Sequence, residues 1–300
     1  MNKTSQQPLV SIQCLVYNHE PYLRQCLDGF VMQKANFKFE AIVHDDVSTD
    51  RSAEIIREYA EKYPDIIKPI FEKENQFSKG FDKLSSIMNA AGKGKYIALC
   101  EGDDYWTDPL KLQKQVDFME AHPDYAMCFS DAVVTWEDDK GIIPRSGFFN
   151  VETREYTGQD LLRNWVVPTA SVLYRNYYQE GLSPPTDKRF IYADIVTFLW
   201  LASLGKVWCD AEKRVVYRRH PGSVSMKRVS VAAWIHHHEA LNEHFGPTYD
   251  STIFTLIREY YRMCLLSRSR IVEAMSYLLK HDLRRLFPTL AYLVYRFVKK

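Results

Sequence analysis

Four short runs rich in β-branched and aromatic residues, at 9–16, 39–45, 66–71 and 95–100, alternate with helical patterns at about 20–33, 52–63 and 78–91. Parallel strands need a crossover of this length between them, so the alternation predicts an α/β fold with a mostly parallel sheet flanked by helices. Pro64 stops the second helical pattern, and Gly92 and Gly94 mark the last helix-to-strand turn. Open sheets of this kind bind ligands beyond the carboxyl ends of their strands. That edge is where function is to be sought. From residue 125 the pattern becomes mixed, with strands expected at 125–135 and 170–174 and helices at 158–165 and 191–204. After residue 227 it reads as wholly helical, at 232–245, 253–266 and 271–279. The polar stretch at 223–230 is the cleanest boundary, giving an α/β domain over 1–228 and a helical extension over 229–300.

Composition removes several classes of function. Thirty-nine basic residues against thirty-eight acidic ones leave a net charge of +1, without the surplus of a general nucleic-acid binder. Six cysteines are scattered with no C-x-x-C pair, which points to free thiols in a reducing compartment rather than disulfides or a zinc site. Residues 1–8 are polar and do not form a secretory signal. The apolar stretch 286–298 is interrupted by Arg296 and falls short of the roughly 20 residues of a membrane span. A cytoplasmic protein is expected. The basic and apolar residues from Arg284 to Lys300 leave two roles open for the C-terminal helices: peripheral contact with the inner face of the plasma membrane, or packing on protein, as in a homodimer.

Acidic residues cluster where strands should end. His44-Asp45-Asp46-Val47-Ser48-Thr49-Asp50 closes the second, and Glu101-Gly102-Asp103-Asp104 closes the fourth. Any one of these Asp residues could be a helix cap, as Asp50 and Asp108 are read. Two such clusters at one sheet edge repel unless cations or hydrogen-bond donors offset them, and hard oxygen ligands suit Mg2+ or Mn2+ shared with a phosphate. Tyr105 and Trp106 follow the second cluster, placed either to stack on a ligand or to pack beneath the loop. The run His236-His237-His238 is expected to form a polar helix face.

In order and spacing, Pro8-Leu9-Val10-Ser11-Ile12, Tyr17-Asn18, Asp45-Asp46-x-Ser48-x-Asp50 and Glu101-Gly102-Asp103-Asp104 resemble family 2 glycosyltransferases of GT-A fold across residues 8–135. The resemblance implies a Rossmann-like GT-A domain whose first half, 8–135, binds a nucleotide sugar and whose second, 136–228, binds the acceptor. It places Leu15, Tyr17, Asn18, Glu20, Asp45, Asp46 and Asp103 at the nucleotide sugar, with Asp46 on the base and Asp45 beside it. It assigns Asp103 and Asp104 to the ribose and a divalent metal without deciding which takes the metal. His220, in Tyr217-Arg218-Arg219-His220-Pro221-Gly222, is either a metal or diphosphate contact or a solvated loop residue, with Arg218 or Arg219 facing phosphate. Asp194, opening a helix about ninety residues after the motif, fits the general base, ahead of Glu180 and Asp187. Two departures stand out: Val47 where many relatives have glycine, so the turn is expected to avoid a positive φ, and Glu101 where many have Asp.

The implied activity is inverting, metal-dependent transfer of a sugar, a UDP-sugar for preference, to a glycan or lipid-linked hydroxyl in surface polysaccharide synthesis. The other reading is a nucleotide-sugar-binding or scaffold protein without turnover. A dinucleotide oxidoreductase is excluded because Leu15-Val16-Tyr17-Asn18-His19-Glu20 contains no G-x-G-x-x-G. A nucleotidyltransferase would need a Gly-rich basic loop at the same place.

Overall fold

The computed structural model describes residues 7–138, 141–145, 151–223, 228–267, 269–286, 288–289 and 291. The chain divides into two compact units, Met1–Pro184 with Trp200–Met226, and Pro185–Leu199 with Lys227–Lys300.

The first unit opens with β1 (Val10–Val16), α1 (Glu20–Val31), β2 (Phe39–Asp45), α2 (Ser52–Lys62), β3 (Ile67–Phe71), α3 (Phe81–Ala91) and β4 (Tyr96–Leu99). These match the expected alternation to within a few residues. β1 pairs in parallel with both β2 and β4, and β2 with β3. Central parallel strands are covered on both faces, and Val10, Ser11, Ile12 and Cys14 are accordingly all 0% exposed. On edge strand β3 burial instead alternates. All six cysteines are buried free thiols.

Beyond β4 the sheet becomes mixed. β5 (Tyr105–Trp106), α4 (Lys111–Ala121), β6 (Tyr125–Asp138), β7 (Gly141–Arg145), β8 (Arg154–Tyr156), α5 (Gly158–Asn164), β9 (Leu173–Arg175), α6 (Ala193–Leu204) and β10 (Lys206–Arg219) follow. The strand order is β3-β2-β1-β4-β9-β6-β10-β5, with β7 on β6 and β8 on β10. β9 starts later than expected because Thr169–Ser171 forms a 3-10 turn. Neither α4 nor β10 was expected. In β10 the charged run Asp210 to Arg214 interrupts the apolar pattern, and register shifts between Asp210 and Val215 accommodate it. In α4 the spacing of buried Leu112, Val116 and Met119 is the signal that would have found it. Val216 of β10 pairs with Tyr105, the residue that follows Asp103 and Asp104.

The second unit contains the start of α6, then α7 (Val231–Phe245), α8 (Asp250–Leu266) and α9 (Ile271–His281), in line with the three helices expected after residue 227. Trp234 stacks between His238 and Tyr260, at centroid distances of 3.6 and 3.9 Å. The histidine run departs from expectation. His236 is exposed, but His237 is buried against Phe190 and Tyr192, and His238 is buried against Trp234. Among the described residues no helix is long and apolar enough to cross a membrane. The apolar C-terminal stretch lies outside the described residues from 292 onward.

Val47 corrects a second expectation. It occupies the left-handed region at φ 64°, where a β-branched side chain is strained. The bonds closing this turn explain why. Ser48 N–H donates to Asp45 Oδ2 at 3.3 Å, Asn18 N–H to Ser48 Oγ at 2.9 Å, and Thr49 N–H to Asn18 Oδ1 at 2.7 Å. Together they outweigh a strain of about 1–3 kcal/mol. Val47→Gly is therefore expected to keep stability or raise it by up to about 1 kcal/mol, even after the extra chain entropy of glycine. Urea unfolding checks this, and a loss above about 1 kcal/mol would contradict the strain.

Candidate active site

The carboxyl ends of β1, β2 and β4 converge through backbone bonds. Gly102 N–H donates to Leu15 C=O at 2.9 Å, and Asp46 N–H to Val16 C=O at 3.0 Å. Gly102 is required there, because a Cβ would come within 2.8 Å of His19 Nδ1 and 3.0 Å of Val16 Cγ2. His19, which the sequence did not flag, is thus pressed against the acidic motif. Its Nδ1 is buried without a hydrogen-bond partner, and burial holds the imidazole below its ordinary pKa.

Asp103 and Asp104 divide their roles. The Asp104 side chain is buried, and its Oδ1 accepts the Arg218 N–H at 2.8 Å. Burial, then the charges of Asp103 and Glu101, push its carboxyl well above the ordinary range. Asp103 keeps 18% of its side chain open to solvent and meets His220 Nε2 at 3.2 Å through Oδ2. Burial opposes its ionisation, but the His220 bond and the neighbouring His19 and His220 outweigh it and hold its carboxyl low. His220 is placed by Ser223, whose Oγ accepts its N–H at 3.2 Å, and by the Tyr22 ring at 4.6 Å. The solvated-loop reading of His220 does not hold.

The Arg218 side chain is held by contacts within the fold. Its guanidinium donates to Glu137 Oε1 at 2.9 Å, to Asp103 C=O at 2.8 Å and to Gln25 Oε1, and it lies 4.3 Å from the Tyr105 ring centroid. Arg219 is exposed. Trp106 packs under the loop: it is 2% exposed, its Nε1–H donates to Ala170 C=O at 2.8 Å, and the Lys111 ammonium lies 4.1 Å from its ring centroid. Burial pushes Lys111 down to about 7.

The residues of the loops after β1, β2 and β3 form a second group. Both Asp46 oxygens accept backbone N–H bonds, from Gln76 at 2.6 Å and Phe77 at 3.0 Å, fixing the loop after β3. Asp45 Oδ1 is buried with no partner. Asp50 caps two helices, accepting from Glu20 N–H and Ser52 N–H at 2.9 Å each, while Glu20 accepts from Arg51 N–H at 3.1 Å. Asp108 likewise accepts from Leu110 N–H at 2.8 Å. Tyr17 and Phe77 are each 50% exposed.

Asp194 belongs to the second unit, in the first turn of α6, where its Oδ1 accepts the Ile195 N–H at 2.8 Å. Removal from water pushes its carboxyl up to about 6. Asp187 is clamped by Arg189 at 2.6 Å, which holds it far below the usual carboxylate range and makes it too weak a base.

A family model described as Glycosyl transferase family 2 matches residues 11–180, more than half of the chain. The chain belongs to glycosyltransferase family 2. An uncharacterized protein of Mycobacterium tuberculosis is 37% identical over 219 residues, covering 70% of this chain, which in turn spans 59% of that relative's length. A Bacillus subtilis protein named as the candidate teichuronic acid biosynthesis glycosyltransferase TuaG is 26% identical, covering 81% of this chain and 92% of its own. Among solved structures, Staphylococcus aureus TarS in complex with UDP-GlcNAc superposes with a TM-score of 0.61 at 17% identity, covering 92% of this chain and 77% of its own. The mannosyltransferase PcManGT of Pyrobaculum calidifontis, with GDP-Man and Mn2+, gives a TM-score of 0.54 at 18% identity, covering 99% and 77%. These likenesses establish the GT-A type of fold.

The buried Arg218 cluster makes a stability prediction. Arg218→Met leaves Glu137 and the Asp104 region without their cation, and losing one partner of a buried pair costs about 3–5 kcal/mol. Chemical denaturation should show a loss of that size. Unchanged stability with weakened nucleotide binding would instead assign Arg218 to the phosphates.

Proposed function

We propose that this protein is an inverting glycosyltransferase that moves a sugar from a nucleoside diphosphate donor, a UDP-sugar, to a hydroxyl of a surface-glycan or lipid-linked acceptor. The observation that carries the reading is the Asp103–His220 pair at the carboxyl edge of the sheet. Among the described residues no group of three or more His, Cys, Asp or Glu is arranged to hold a metal by itself. Two protein ligands suit Mg2+ or Mn2+ all the same, because these ions take their remaining ligands from water and substrate phosphates. The Asp103 carboxylate and the His220 imidazole lie within 3.2 Å of each other and supply an oxygen and a nitrogen donor to one place. Asp103 and His220 would hold the cation, with Asp104 supporting the loop from beneath. When bound, the ion supplies charge neutralisation on the departing diphosphate.

Within this reading, residues 8–135 bind the donor, with Leu15, Tyr17 and Asn18 beside it, Glu20 bracing the loop, and Asp45 and Asp46 in the part that takes the base. Residues 136–228 form the acceptor half and 229–300 a helical extension, although 185–199 groups with those helices. Asp194 takes the proton from the attacking hydroxyl as it attacks in line at the anomeric carbon, so configuration inverts and no glycosyl-enzyme forms. The names of TarS, with UDP-GlcNAc, and TuaG support a UDP-sugar and a surface polymer.

A screen of nucleotide sugars with Mn2+ tests the activity, and release of free nucleoside diphosphate from a UDP-sugar is expected. Binding without any release would favour the scaffold reading. A base must be ionised, so kcat should rise with pH as one group near pH 6 loses its proton, then level off. Asp194→Asn should cut turnover roughly 100-fold with donor affinity kept. Near-normal turnover in that variant would move the base elsewhere.

A further inference from the structure

The proposed base stands at the end of a short segment that is gripped by one helix of its own unit. Arg189 donates to Asp187 Oδ2 at 2.6 Å and bridges to Glu243 on α7, at 2.9 Å to Oε1 and 2.5 Å to Oε2. His244, next along α7, places Nε2 3.3 Å from Asp187 Oδ2. The Phe190 ring packs on His244 and His237 at 5.4 and 5.9 Å, and Tyr192 on His237 at 5.2 Å. Between those two aromatic residues, Ile191 N–H donates to His237 Nδ1 at 3.4 Å. Asp194 follows three residues later.

His237 is an expensive residue for a helix core. It is 0% exposed, and its Nε2 has no hydrogen-bond partner. Because Nδ1 accepts the Ile191 proton, the ring proton sits on Nε2, where it is buried and unsatisfied. An aliphatic side chain would avoid that cost, but it would leave the Ile191 N–H without an acceptor. Burial, reinforced by His238, pushes the imidazole down to about 3, so Nδ1 remains an acceptor throughout the physiological range.

We propose that His237 is a positioning residue for the transferase reaction, fixing through Ile191 the segment that sets Asp194 at the head of α6. The inference rests on the reading of Asp194 as base. It gives the C-terminal helices a part in catalysis that is independent of any membrane or subunit contact. The salt-bridged Asp187–Arg189–Glu243 group anchors the far end of the segment, and His237 holds the near end.

Two substitutions of similar size and polarity separate this role from plain core packing. In H237N the amide oxygen lies close to the place of Nδ1, whereas in H237Q it lies toward Nε2. Hydrogen–deuterium exchange on the full-length protein, read on peptides covering 186–195 with α8 as the folding control, requires no ligand. H237Q should speed exchange at Ile191 about tenfold, the scale of one lost net hydrogen bond, and H237N should keep protection near wild type. UDP release from UDP-GlcNAc should fall in parallel in H237Q, through kcat with KM unchanged, and be rescued in H237N. Equal protection in both variants, or fast exchange in H237Q with turnover intact while D194N is inactive, overturns the proposal. If H237Q loses protection in α8 as well, H237N decides: wild-type protection supports the clamp and loss of it overturns the clamp. A D194N protein with normal turnover would sink the base assignment alone, since the exchange results would still stand.

Discussion

Two neighbouring carboxylates at a sheet edge must be held against their own repulsion, and here the end of a distant strand does it. β10 passes the acidic motif with the Arg218 N–H on Asp104 and its guanidinium on the Asp103 carbonyl, and His220, just after the strand, lies on the Asp103 carboxylate. This division leaves one carboxylate buried as a support and the other partly open with an imidazole beside it. The proposed site must accept a diphosphate and a hard cation and keep its shape when both are gone. Supporting the motif with fixed donors, rather than with the cation itself, meets that need.

Turn chemistry links the other loops to this edge. Asn18, Asp45, Ser48 and Asp50 exchange hydrogen bonds with backbone groups across the β1 and β2 loops. Much of the acidic cluster is therefore scaffold, and the strain at Val47 is the cost of a turn over-determined by its bonds.

The parallel half of the fold and the acidic edge of its sheet were legible in the sequence, because buried parallel strands read as continuous apolar runs and their ends as clusters of acids and turn residues. Where the pattern was broken by charge it failed. β10 was hidden by the run Asp210 to Arg214, of which Arg214 is itself buried against Asp108 at 3.1 Å. Asp104 and Arg218 could be placed at the site from their position in the motifs, but not their inward orientation, which depends on a pairing 114 residues apart. His19 and His237 carry no local signature at all. One is marked by what a Cβ on Gly102 would strike, the other by a backbone N–H from a segment 46 residues earlier.

The proposed meeting place of cation and diphosphate is the Asp103–His220 pair. Calorimetry of UDP binding, with Mn2+ and with chelator, reads this directly. The wild-type protein should bind UDP at least about tenfold more tightly with Mn2+, and Asp103→Asn should erase that difference while remaining folded. An Asp103→Asn protein that keeps the full Mn2+ dependence would contradict the assignment.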